Sequence, residues 1–181
     1  MSGKWWEELP KASALDVALE AEGIGGALAD VARSIYAQES GSGKNTTTSN
    51  AGAVGGMQIL PGTFQQVADK GWDIADPIHN ARAGVRYLKA MFDRADGDPA
   101  LAAVGYYGGP GGQDKAKKGE AVADPRNPKA PTTLEYAQQV VNRLPGADKS
   151  QQTGQKATEK ASKATEGGDW WQQYPEVQQA S

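Results

Sequence analysis

The sequence predicts a small all-α domain. Three observations point there: apolar residues recur at helical spacing in several segments, helix-start signals precede most of those segments, and no run alternates as a half-buried strand would. These signals occupy residues 13–145, leaving residues 1–12 as an N-terminal arm and 146–181 as a polar tail.

Residues 13–22 read as a short amphipathic turn or helix that stops at Gly23-Ile24-Gly25-Gly26. A stronger helix is expected over about 27–39, with Leu28, Val31, Ala32 and Ile35 on one face. Residues 41–56 are rich in Gly, Ser, Thr and Asn and have no period. A loop of that length inside a compact domain is usually functional or disordered. Pro61 to Lys70 predicts a short helix with Phe64, Val67 and Ala68 inward. Asp76-Pro77 supplies an N-cap followed by proline at the first helical position, and Ala81, Gly84, Tyr87, Leu88 and Met91 follow on one face. Asp98-Pro99 repeats that start before Leu101 and Val104. This helix is expected to end in the glycine-rich run Gly105 to Gly112, ahead of a polar stretch over about 113–131. Thr132 and Glu135 form a capping-box pattern. The helix they open has Leu134, Ala137, Val141 and Leu144 inward and ends at Pro145-Gly146.

Composition narrows the chemistry. With 181 residues there is room for one domain plus its ends, at about 100–200 residues per domain. A mean hydropathy of −0.63 is low for a compact domain, which fits polar segments outside the core. The net charge of −3 argues against a nucleic-acid partner, whose binders are usually basic. Cysteine is absent and His79 is the single histidine, so thiolate chemistry and a histidine-rich metal site are not expected. No cofactor is implied. No apolar run approaches the roughly 20 residues that span a bilayer. Lys4, Glu7, Glu8 and Lys11 interrupt any apolar leader segment, so delivery by a route other than a secretion signal is expected. Catalysis would have to rest on carboxylates, hydroxyls or tyrosines.

Glu39 is the carboxylate in an unusual place. It follows Ile35 by four residues, Ala32 by seven and Leu28 by eleven, which sets it on the apolar face of its helix. It also sits at the C-terminal end, where the helix dipole disfavours negative charge. Both effects favour the protonated form and raise the pKa, as general-acid catalysis requires. The plainer reading is a surface glutamate just past a helix end. Asp69, Asp73 and Asp76 are near in sequence, but none has a comparable setting, and Asp76 reads as a cap.

Glu39-Ser40 is followed by Gly52-Ala53-Val54-Gly55-Gly56-Met57-Gln58-Ile59-Leu60-Pro61, Thr63, Asp76-Pro77, Asn80, Gly84, Tyr87-Leu88 and Gly105-Tyr106-Tyr107-Gly108-Gly109-Pro110-Gly111. In order and spacing these motifs resemble the soluble lytic transglycosylase domain over about residues 13–145. The resemblance implies a lysozyme-like helical fold and cleavage of peptidoglycan glycan strands at the MurNAc–GlcNAc bond. Glu39 would protonate the glycosidic oxygen, then take a proton from the muramic 6-hydroxyl as a 1,6-anhydro product forms, with the substrate's acetamido group assisting. Ser40 would orient the Glu39 carboxyl or the acetamido group. Gln58 would line the sugar groove with the backbone at Gly55 and Gly56; Met57 reads as groove wall or core filler. Tyr106 would hydrogen-bond near the carboxyl, and Tyr136, which matches the tyrosine of the family's last helix, would help close the groove. Tyr87 reads as core, Asn80 and Gly84 as packing residues, and His79 as a surface histidine.

Two positions depart from the family pattern. Gly56 stands where the family usually has leucine, implying a more mobile loop. Tyr107 stands where it usually has asparagine and leaves two outcomes open, anhydro-forming and hydrolytic. A lysozyme-type hydrolase is therefore the chemical rival, and a non-catalytic glycan-binding or virion structural module the rival from another class.

Trp5-Trp6-Glu7-Glu8-Leu9-Pro10 is echoed by Trp170-Trp171-Gln172-Gln173-Tyr174-Pro175. Aromatic pairs on polar ends favour burial. They read either as packing on the domain's own surface or as a duplicated docking motif for virion or secretion-apparatus proteins. A virion-associated protein, or one delivered to the bacterial cell wall without a secretion signal, is the expected setting.

Overall fold

The structure, a computed structural model, describes residues 12–125 and 127–147. Both Trp-Trp motifs lie outside the described residues, as does most of the tail. Among the described residues six helices form: α1 Ala14–Ala21, α2 Gly26–Ser40, α3 Pro61–Val67, α4 Pro77–Arg94, α5 Pro99–Ala116 and α6 Thr133–Val141. The one β feature among them is an antiparallel bridge between Val54 and Ile59. The fold is all-α, as the periodicity predicts.

Local chemistry sets most helix starts. Ser13 with Asp16 and Thr132 with Glu135 close reciprocal capping boxes on α1 and α6. Asp76 and Asp98 each accept two backbone N–H bonds, with proline next in line to open α4 and α5. At the far end of α2, Gly41 adopts the left-handed conformation at φ 59° and stops the helix directly after Glu39-Ser40.

α4 packs against α1, α3 and α5, and α5 also packs against α6, so these two long helices form the centre of the domain. Leu15, Ile35, Leu88, Val104 and Val140 meet in the main core. A smaller cluster of Ile59, Phe64 and Ala83 seats α3 on α4. Glu22 accepts from Arg82 Nε at 2.7 Å and Arg86 Nε at 2.8 Å, tying the end of α1 to α4. Both guanidinium groups lie over the Trp72 ring at 4.5 and 4.6 Å, and His79 stacks on the same ring at 5.3 Å. His79 thus belongs to a structural cluster rather than standing as a plain surface residue.

The expected end of α5 is corrected. The helix does break within the expected run, at Gly109, where φ is 70° and ψ −178°, but it does not end there, and helical turns resume as far as Ala116. Two of the glycines here, Gly105 and Gly108, permit close approach instead of ending the helix. A Cβ on Gly105 would lie 3.0 Å from Met91 Cβ, and one on Gly108 only 2.6 Å from Thr133 Cγ2. Gln113, read from sequence as the start of a polar stretch, is fully buried. Its Nε2 donates to the carbonyls of Met91 and Leu101 at 2.9 and 3.0 Å and holds the second half of α5 against α4.

Glycine-to-alanine exchange inside a helix normally stabilises by about 0.5–1 kcal/mol. At Gly108 the methyl would meet Thr133, which cannot withdraw because its hydroxyl and N–H are bonded to Val122. Gly108→Ala is therefore expected to destabilise by about 1–3 kcal/mol in urea unfolding. Gly111→Ala, with no atom within 4 Å of the added carbon, is expected to be neutral or stabilising.

Candidate active site

The loop after α2 is shaped by one buried amide. Asn80, on the first turn of α4, is 1% exposed and uses its whole side chain on the loop. Its Oδ1 accepts from Met57 N at 3.1 Å, and its Nδ2 donates to Val54 O at 2.9 Å and Ile74 O at 3.2 Å. These bonds hold the tight Val54–Ile59 turn, in which Gly55 has φ 76° and Gln58 φ 46°. A Cβ on Gly55 would fall 2.4 Å from the Asn80 amide, so the residue must be glycine for both reasons. Gly56 is buried against Tyr36, whose Cε2 would lie 2.5 Å from an added Cβ. Its small size admits the Tyr36 ring; the expected looseness of this loop gives way to close packing.

Glu39 lies in the last turn of α2, half-buried, and its Oε1 accepts from Tyr136 Oη at 2.5 Å. Burial pushes its carboxyl above the usual carboxylate range, and the Tyr136 bond opposes that shift. The protonated form expected from the helix position is thus favoured chiefly by desolvation. Tyr136, from α6, is 2% exposed and lies flat against Tyr107, ring centroids 4.3 Å apart at 10°. Tyr106 reaches the other way and donates to Met57 O at 2.7 Å. Its phenol is held well above its ordinary pKa by burial and by the Glu39 charge. Three tyrosines from α5 and α6 thus surround one carboxyl.

Glu39 opens into a cleft of about 680 Å³. Gln58, Tyr106 and Tyr107 line it with Glu39, as the sequence suggests. Gln58 does so on a fixed arm, its amide donating to Thr47 O at 3.1 Å and Gly55 O at 2.8 Å. Tyr136 meets Glu39 directly but is not part of the cleft lining. Three further predicted contact residues do not line the cleft. Ser40 is 2% exposed and spends its hydroxyl on Tyr36 O, at 3.0 Å, and Gly43 N, at 2.8 Å; it shapes the turn instead of touching the carboxyl. Met57 is fully buried in the core, presenting only its backbone to Tyr106 and Asn80. Gly55 serves the turn against Asn80.

A further part of the cleft wall comes from residues that sequence reasoning missed. Val122, Ala123, Asp124, Pro125 and Asn127 line the cleft from the segment read as a polar stretch. Thr133 holds it in place: Val122 N donates to Thr133 Oγ1 at 3.0 Å and Thr133 N to Val122 O at 2.9 Å. Asp124 brings a second carboxylate to the cleft. Tyr87, read as core, also lines it, and its hydroxyl donates to Gly105 O at 3.3 Å. Among the described residues no group of three or more His, Asp or Glu side chains could hold a metal ion, and no helix is long and apolar enough to cross a membrane.

A family model described as the transglycosylase SLT domain matches residues 16–127, more than half of the chain. The chain belongs to the transglycosylase SLT domain family. The chain is 33% identical over 111 residues to a transglycosylase of Enterobacteria phage PRD1, a match covering 60% of this chain and 37% of that protein. Among solved structures it is similar to an inactive glutamate-to-glutamine mutant of lytic transglycosylase Slt from Pseudomonas aeruginosa. The TM-score is 0.55 at 22% identity, over 72% of this chain and 22% of that one, and the likeness shows the fold. The chain thus spans little more than a third of the phage relative and about a fifth of the Slt protein. The family match ends before α6, the helix whose Tyr136 donates to Glu39.

Proposed function

We propose that this SLT domain is a peptidoglycan lytic transglycosylase with Glu39 as its single acid and base. The observation that carries the reading is a desolvated carboxyl at the wall of a large cleft, bonded to a buried tyrosine. Protonated Glu39 gives its proton to the glycosidic oxygen between MurNAc and GlcNAc as the C1–O bond breaks. The substrate acetamido group supports the cation at C1. The Glu39 carboxylate, kept in place by Tyr136, then removes the proton of the muramic 6-hydroxyl, and O6 closes on C1. No water is consumed. The family membership supports this chemistry, as does the phage relative, which is a transglycosylase by name. Gln58, Tyr106 and Tyr107 are the sugar-contacting side chains. Local opening of the bacterial wall by a virion-associated protein is the biological setting, and the Trp-Trp ends are the segments that dock it.

Asp124 favours one second reading. A second carboxylate lining the same cleft could activate a water for attack, and the products would then be hydrolytic. Incubation with purified sacculi is expected to release soluble muropeptides, with Asp124→Asn retaining anhydro-product formation. Loss of all cleavage in Asp124→Asn, with reducing-end products from the wild type, would establish the hydrolase instead. Absence of release by the wild type would remove the catalytic reading.

A further inference from the structure

Tyr107 stands where the cleft wall and the Glu39–Tyr136 pair meet. Its ring covers the Tyr136 ring at 4.3 Å and 10°, a geometry in which one face of Tyr107 is spent on its neighbour. Tyr107 is 38% exposed and lines the cleft; Tyr136 is 2% exposed and does not. Tyr107 therefore covers Tyr136 on the cleft side, while Glu39 itself opens into the cleft. Its hydroxyl donates to Pro131 O at 3.1 Å, at the far end of the wall segment that Thr133 holds through Val122. One side chain thus joins α5, α6 and the 122–131 segment.

We propose that Tyr107 is a positioning residue: its ring shields Tyr136, and with it the side of Glu39 that Tyr136 holds, from water in the cleft and fixes the phenol that donates to Glu39, while its hydroxyl latches the cleft wall to that stack. The inference rests on the reading of Glu39 as the general acid. The titratable groups facing Glu39 are Tyr136 from α6 and Tyr106 and Tyr107 from α5, with Asp124 acting on Tyr107 from the wall. Neutral phenols leave burial as the dominant influence on Glu39, so removing the shield should lower its pKa.

Two readouts test this, one with substrate and one without. Glu39 starts the reaction protonated, so kcat/KM falls as pH rises through its pKa. In Tyr107→Ala that falling limb is expected to move to lower pH by roughly one unit, a tenfold change in the ionisation constant. Tyr107→Phe keeps the stack and should leave the limb in place, while KM rises several-fold as the wall loses its latch. Glu39 followed by carboxyl carbon NMR should titrate at lower pH in Tyr107→Ala without any substrate present. Tyr107→Asn, which also removes the ring, gives the same test if the alanine variant does not fold. A uniform drop in kcat/KM with an unmoved limb and an unmoved NMR titration would overturn the proposal and leave Tyr107 as a sugar contact. Failure of the wild type to cleave glycan would contradict the catalytic reading alone, because the NMR titration still decides what Tyr107 does to Glu39.

Discussion

Glu39→Gln is expected to abolish glycan cleavage and, above neutral pH, to make the domain more stable. The activity loss should be on the order of 10²–10⁴-fold, the usual contribution of a positioned acid or base. Glutamine preserves the shape, and its Oε1 can accept the Tyr136 hydroxyl as the carboxyl does. What disappears is the proton that Glu39 delivers. The stability change has the opposite direction because burial raises the Glu39 pKa above its unfolded value. Such a group contributes fully to stability below the unfolded carboxylate range, and that contribution is lost as pH rises through the raised pKa. Glutamine carries no such loss. The thermal midpoints of variant and wild type should therefore coincide near pH 4 and separate as pH rises, with the variant higher. Differential scanning calorimetry across that range checks this. A variant less stable at every pH would show that Glu39 is held by favourable interactions, not at a cost.

Asn80→Ala is expected to produce the largest loss of stability, about 2–4 kcal/mol, together with a fall in activity. The substitution removes three hydrogen bonds and leaves Met57 N, Val54 O and Ile74 O without that partner. A single buried unsatisfied group costs about 1–3 kcal/mol, and partial relaxation of the loop reduces the sum. Activity falls because the same turn presents Gln58 to the cleft and Met57 O to Tyr106. Urea unfolding should show a lower midpoint with an unchanged slope. A change below about 0.5 kcal/mol, the scale of ordinary surface substitutions, would mean the turn holds itself without α4.

The parts of this molecule legible from sequence are those fixed by neighbours in the chain. The capping box at Thr132, and Asp-Pro starts at residues 76 and 98, depend on side chains within three residues of the helix they open; the like box at Ser13 and Asp16 is of the same local kind, though the sequence reading passes over it. Glu39 was legible for the same reason, since its place on the apolar face follows from Leu28, Ala32 and Ile35. The path of α5 was not, because a glycine that ends a helix and one that admits a partner look alike in one dimension. Gly105 and Gly108 are explained by Met91 and Thr133, which arrive from other elements. Asn80 reads as a packing residue because two of its three partners, Met57 and Val54, lie beyond α3, 23 and 26 residues away. The wall at 122–127 reads as a polar connector until Thr133 is seen to hold it. Ser40 shows the converse: adjacent to Glu39 in the chain, it turns its hydroxyl into the helix end.

The most direct test of the central claim is the mass of the muropeptides released from sacculi by the wild type and by Glu39→Gln. A single-carboxylate transglycosylase predicts products about 18 Da lighter than hydrolytic ones, the mass of one water, and none from the variant. Reducing-end products from the wild type, or anhydro products persisting in Glu39→Gln, would contradict it.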